Sequence, residues 1–247
     1  MTLRFCFAAI SVLIFQPMNV LAQNQIGLEF GIGRHMQSGA IKDSCGCIPG
    51  NGTGTGFTGA LFFEMPMFSG VRAGMKARLD YKKTSSSGIF QDSVVFQSPD
   101  NAGRIPIEHT LDVSAGYLTL SPYLGYKLPG LGLFFQLGAS VSDLVSSELT
   151  ETRAITTSTV TMNGTTYNNI SLPDGSRKET TANGDIADAS QLRVAAFISA
   201  GYEIPISRSI LAPMITYDAP LTNVRSLNAS GWKISSVYGT IALKFGL

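Results

Sequence analysis

The chain has 247 residues, with 18 Lys and Arg against 17 Asp and Glu, and 26 glycines. That length allows one large domain or at most two, and balanced charge without a clustered basic face argues against a nucleic-acid partner. Abundant Gly, Ser and Thr without a long apolar helical run point to an all-β protein.

The N-terminus reads differently from the rest. Arg4 is the only charge beside an apolar run from Phe5 to Phe15, Gln16-Pro17 breaks that run, and Val20 and Ala22 precede a cleavage point. This is the layout of a secretory signal peptide, and the run is too short for a spanning helix. Residues 1–22 are therefore expected to be removed, leaving 23–247 as one domain.

The first strand is read over Ile26 to about Met36, with Ile26, Leu28, Phe30 and Ile32 on one face. A Gly/Ser-rich loop follows and carries Cys45-Gly-Cys47. These cysteines are a possible disulfide in an exported chain, although one spacer residue would strain it. A metal site would need more ligands than lie nearby. The second strand is read over Thr53–Met65 and the third over Val71–Tyr81, where Val71, Ala73, Met75, Ala77 and Leu79 alternate with Arg72, Gly74, Lys76, Arg78 and Asp80. From Tyr81 to about His109 the chain reads as a long polar loop.

The clearest stretch is 117–142. Leu118, Leu120, Leu124 and Tyr126 alternate along one arm; Leu131, Leu133, Phe135, Leu137, Ala139 and Val141 alternate along the other. Pro129-Gly130 between them suits a type II turn. Leu111 and Val113 fall on the opposite parity from Leu118 and Leu120, which predicts a β-bulge in the fourth strand near Gly116–Tyr117. The longest connection is read over 147–189, with a hairpin about Asn163-Gly164. Strands six, seven and eight are read over Gln191–Ile204, Ile210–Pro220 and Trp232–Leu247.

The strand count is even, the connections alternate long and short, and every strand has an apolar face opposite a small, polar or charged one. That combination describes an outer-membrane barrel, because a sheet crossing hydrocarbon must close on itself to pair its backbone. A soluble barrel of lipocalin type would need a well-charged exterior. The expected fold is therefore a closed antiparallel eight-stranded transmembrane β-barrel with periplasmic termini. Phe63, Tyr81, Tyr126, Tyr202, Tyr217, Trp232 and Phe245 are expected in the interfacial girdles.

With its signal peptide, its strand pattern and the segment YLTLSPYLGYKL, the chain resembles the OmpA-like and PorT-like outer-membrane barrels, especially those of Bacteroidetes type. The terminal ALKFGL is similar to the C-terminal signal read by the barrel assembly machinery. The resemblance implies that machinery as a partner, with Leu243, Phe245 and Leu247 as the signal.

Charges on the small-residue faces are Glu29, Glu64, Arg72, Lys76, Arg78, Asp80, Asp112, Arg193, Glu203 and Lys244. Buried charges must pair, so these are expected to form a lumenal salt-bridge network, with Glu29 near Lys244 and Glu64 near Arg72. The expected function is structural or surface interaction through the extracellular loops, with a plugged lumen, outer-membrane lipid around the barrel, and 147–189 as the contact for an extracellular partner. A narrow small-solute channel is the alternative. A lipid-modifying enzyme would need His35 or His109 with Ser38, Asp112 or Ser114; loop histidines without a catalytic role are the expectation, with no cofactor and no metal.

Overall fold

The computed structural model describes residues 23–39, 51–96, 98–157, 159–162, 165–168, 170–186, 188–224 and 231–247. Residues 1–22, Cys45, Cys47 and Asn163-Gly164 lie outside the described residues. The strands are β1 (Gln25–Ser38), β2 (Thr53–Phe68), β3 (Val71–Phe96), β4 (Ser98–Lys127), β5 (Leu133–Ala154), β6 (Val160–Met162), β7 (Thr165–Tyr167), β8 (Ile170–Ser171), β9 (Lys178–Gly184), β10 (Leu192–Tyr202), β11 (Ile204–Ile206), β12 (Ser209–Pro220) and β13 (Lys233–Gly246).

Eight of these close a ring. Going round, β10, β12, β13, β1, β2, β3, β4 and β5 pair as neighbours, and β5 pairs back to β10. Every pairing is antiparallel, and β1 meets β13 with Gln25 opposite Gly246 and Ser38 opposite Lys233. Closure removes the sheet edge, so each ladder group has a partner within the ring. The turns between β2 and β3, β4 and β5, and β10 and β12 are short and share one end, called the terminal end, with the start of β1 and the finish of β13. Gly130 sits at φ 77 in the β4–β5 turn, the left-handed conformation that the Pro129-Gly130 pair was read to supply.

The ring wears an apolar belt. Ile26, Leu28, Phe30, Ile32, Leu61, Leu79, Leu137, Ile198, Ile215 and Ile241 all point outward and are exposed, Ile32 at 76%. Exposure on this scale is unstable in water and natural against acyl chains. Small residues on the opposite face let bulky ones cross the narrow lumen. A Cβ at Gly33, for example, would lie 2.6 Å from the Tyr238 ring. Tyr126, Tyr202 and Phe245 stay outward near the terminal end, and Tyr217 near the other. Tyr81 stacks on Phe57, with ring centroids 5.3 Å apart.

Above the belt the structure departs from the sequence reading. The stretch after Tyr81 is not a loop: β3 and β4 continue as a hairpin, pairing Lys82 with Ala115 and Val94 with Gly103. β5 continues to Ala154 and takes β9 on its outer edge. The fourth strand keeps one phase throughout, with Leu111, Val113, Ala115, Tyr117 and Thr119 all buried. The irregularity does fall at Gly116–Tyr117, but the extra residue is on the partner strand. Gly116 faces Ser146 and Tyr117 faces Leu144, leaving Val145 unopposed. Leu111 and Val113 look out of phase because the inner face itself changes from polar to apolar above the belt.

Two apolar clusters fill this upper part. One joins Leu111, Val113, Ile186, Val224, Trp232 and Ile234 across the mouth of the ring. The other joins Val94, Ile105, Ile107, Ile155, Ile170 and Leu172 farther out. Trp232 is fully buried and so belongs to the first cluster, not to a girdle. The strands on either side of Asn163-Gly164, β6 and β7, pair antiparallel, with Val160 opposite Tyr167.

Candidate functional site: the lumenal ion network

Strand parity sends every second side chain to the axis, and there the charges meet in two groups. Near the terminal end Lys76 donates to Glu29 at 2.7 Å and to the Gln136 amide oxygen at 3.0 Å. Gln136 and Tyr123 donate to Glu64 at 3.2 and 2.8 Å. Lys244 bridges Glu64 at 3.1 Å and Glu203 at 2.9 Å. Arg72 lies 3.4 Å from Glu64 and also bonds Gln25, and Lys127 caps Glu203. The expected Glu64–Arg72 pair is therefore present. The expected Glu29–Lys244 pair is not: Glu29 is opposite Ala242 on β13, while Lys244 stands two residues nearer the terminal end, against Glu64.

The second group lies above the first. Arg78 donates to Asp80 at 2.8 Å and to Asp218 at 3.3 Å. Arg193 also pairs with Asp218, and Lys82 stands 3.9 Å from it while donating to Ser236 at 2.9 Å. Thr119 donates to Asp80 at 3.1 Å. Asp218, which the expected network does not include, is the centre of this group. Its parity with Met214 and Thr216 was the available signal. Lys82 was missed because the third strand was read as ending at Tyr81. Asp112 was placed in the network and does not join it; it follows buried Leu111 and points out of the ring.

Aromatic faces complete the packing. Lys244 lies 4.8 Å from the Phe134 ring centre and Lys76 5.1 Å from that of Tyr123, both favourable placements for a desolvated cation. The cavity at the terminal-end mouth, lined by Glu64, Arg72, Lys127, Glu203 and Lys244 among others, measures about 10 Å³. That is about the room of one water.

The two histidines are buried and apart. His35 shares a 2.8 Å hydrogen bond with Ser236 in the second group. His109 lies in the upper hairpin, 3.4 Å from Asp92, which Arg153 bonds at 3.0 Å. His109 faces inward while Asp112 and Ser114 fall on the other face of β4, so the structure does not assemble them. In the upper loop, the backbone and hydroxyl of Ser176 both donate to Asp174, at 3.0 and 2.8 Å, which holds that carboxyl below the usual range. Leu243, Phe245 and Leu247 share the outward face at the terminal end of β13, with Phe245 and Leu247 exposed.

No family model matches the sequence, and no curated protein matches it. Among solved structures, the chain is similar to the attachment invasion locus protein Ail of Yersinia pestis, at TM-score 0.34 and 9% identity, over 90% of this chain and 99% of that one. It is also similar to Neisserial surface protein A, at TM-score 0.33 and 10% identity, over 90% and 97%. The outer membrane protease OmpT of Escherichia coli gives TM-score 0.35 and 10% identity, over 95% and 99%. The eight-stranded ring rests on its own strand register.

Proposed function

We propose that this chain is an integral outer-membrane barrel with a lumen closed to solutes, periplasmic termini and a surface-interaction role carried by the lobe above the belt. The observation behind this reading is a ring whose axis is filled by paired charges while β3, β4 and β5 run on past the apolar belt into a folded lobe. A closed sheet with an apolar exterior is stable where hydrocarbon replaces water. Short turns at one end and long connections at the other match the asymmetry of outer-membrane barrels.

The lobe, with residues 147–189 at its heart, is the element offered to an extracellular partner. Leu243, Phe245 and Leu247 are the residues offered to the barrel assembly machinery, and membership of the OmpA-like or PorT-like group belongs to the same proposal. His35 and His109 serve as packing and hydrogen-bonding groups in this reading. In planar bilayers the purified mature chain is expected to show no steady single-channel conductance, and on gels a folded band that shifts only on boiling. Steady conductance would overturn the plug in favour of the channel. A chain that stays monodisperse in plain buffer would overturn the membrane placement.

A further inference from the structure

A pocket of about 530 Å³ lies at the terminal end of the ring, between the β2–β3 turn and the β4–β5 turn. It passes under the end of β3, from the lipid side to the lumen side. Met67, Phe68 and Val71 give it an apolar wall, with Met67 and Phe68 exposed at the end of β2, just before the turn. Arg72 and Lys127 line the same pocket and also the small cavity at the lumen mouth.

Charge at this end does not cancel. The side chains of Arg72, Lys76, Lys127 and Lys244 meet those of Glu29, Glu64 and Glu203, so the described group carries one cation in excess. The two cations that border the pocket are the ones still reaching solvent, with side chains 25% and 35% exposed. Each has donors in excess of its present partners, so an anion entering the pocket can be met while Glu64 and Glu203 stay paired.

We propose that this pocket seats an anionic phospholipid of the leaflet at the terminal end, its phosphate against Arg72 and Lys127 and its acyl chain against Met67 and Phe68. The pocket opens sideways to the bilayer: Val71 lies opposite Tyr126, a lower girdle residue on the lipid face. A lipid reaches it by diffusion in the plane, with the head toward the axis and the tail outward. An apolar wall joined to a two-cation floor fits an amphiphile better than free phosphate, which would leave Met67 and Phe68 unpaired with any apolar surface.

This inference rests on the membrane placement, and the test separates the two. The folded barrel, judged by heat-modifiable mobility, is placed in nanodiscs of phosphatidylcholine doped with phosphatidylglycerol, and retained lipid is read by native mass spectrometry. Phosphatidylglycerol is expected to be retained about tenfold over phosphatidylcholine, the scale of one charge-assisted contact. Lys127→Gln with Arg72→Gln should abolish the preference. Because Arg72 also pairs with Glu64, Phe68→Ser provides a variant that leaves every ion pair intact; it should weaken retention with unchanged mobility. A heat-modifiable barrel without lipid preference would overturn the pocket's assignment and leave the membrane reading standing. Full displacement of the lipid by millimolar inorganic phosphate would overturn the lipid in favour of a simple anion site. Displacement by an acidic peptide with an apolar residue would overturn it in favour of a protein partner.

Discussion

Asp218 shows how much one buried charge can hold. It is fully buried and faces Arg78, Lys82 and Arg193. Removing its charge leaves three desolvated cations with only Asp80 between them. Breaking a buried pair from one side costs about 3–5 kcal/mol, so Asp218→Asn should destabilise the barrel by about that much in a urea titration in lipid vesicles. Asp112→Asn, outside the network, should stay within about 0.5 kcal/mol. Equal effects would dissolve the distinction between the two positions. The outward face has its own test. Leu137, exposed at 65% and opposite Leu124 and Ile198 in mid-ring, should cost about 2–4 kcal/mol as Leu137→Arg. Fully buried Ala195 as Ala195→Arg should fail through overpacking, and therefore equally in thick and thin bilayers. Leu133, by contrast, starts β5 near the terminal end and is a poorer probe of mid-membrane cost.

At the scale of the strand, the alternation within the belt was fully legible. Every ring strand was found, most bounds fall within a few residues, and the lumen faces were correctly assigned, because lipid on one side and a crowded axis on the other force a strict period of two. The upper hairpin was not legible. Thr84, Ser85, Ser86, Ser87 and Gly88 carry no apolar alternation, and cross-strand pairing alone makes them strand. Leu111 and Val113 misled for a related reason. Inside the belt, polar faces in and apolar faces out; above it, water lies outside and the order inverts. An inversion of polarity and a one-residue slip give the same sequence pattern. The true slip is Val145 in β5, which moves the inward set from Phe134, Gln136, Ser140 and Ser142 to Leu149 and Glu151. Deleting Val145 should therefore leave a bulge-free strand that still sends Leu149 and Glu151 inward, and the heat-modifiable folded band should be kept. Inserting one alanine after Val145 should instead send Thr150 inward and Leu149 outward, and the band should be lost. An insertion variant that folds as well as the deletion would show that the residue count at 145 does not set the register.

At the scale of the whole barrel, two different kinds of chemistry fill the axis among the described residues. Below, paired charges fill the axis and leave about 10 Å³ at the mouth; above, Trp232, Leu111, Val113 and Ile234 form an apolar lid. The ionic column has a fixed geometry because each member is tied to at least one other, whereas the lid depends on large side chains filling one volume. Trp232→Ala should empty that volume at a cost of about 3–5 kcal/mol and loosen the connections carrying Ile186 and Val224, read as faster hydrogen exchange in those segments. It should not open a pore, since Arg78, Asp80, Asp218 and Arg193 still block the axis beneath. Planar-bilayer recordings of Trp232→Ala are thus expected to stay silent. Steady conductance from this variant, with the wild type silent, would place the seal in the lid and make the ion network a lining.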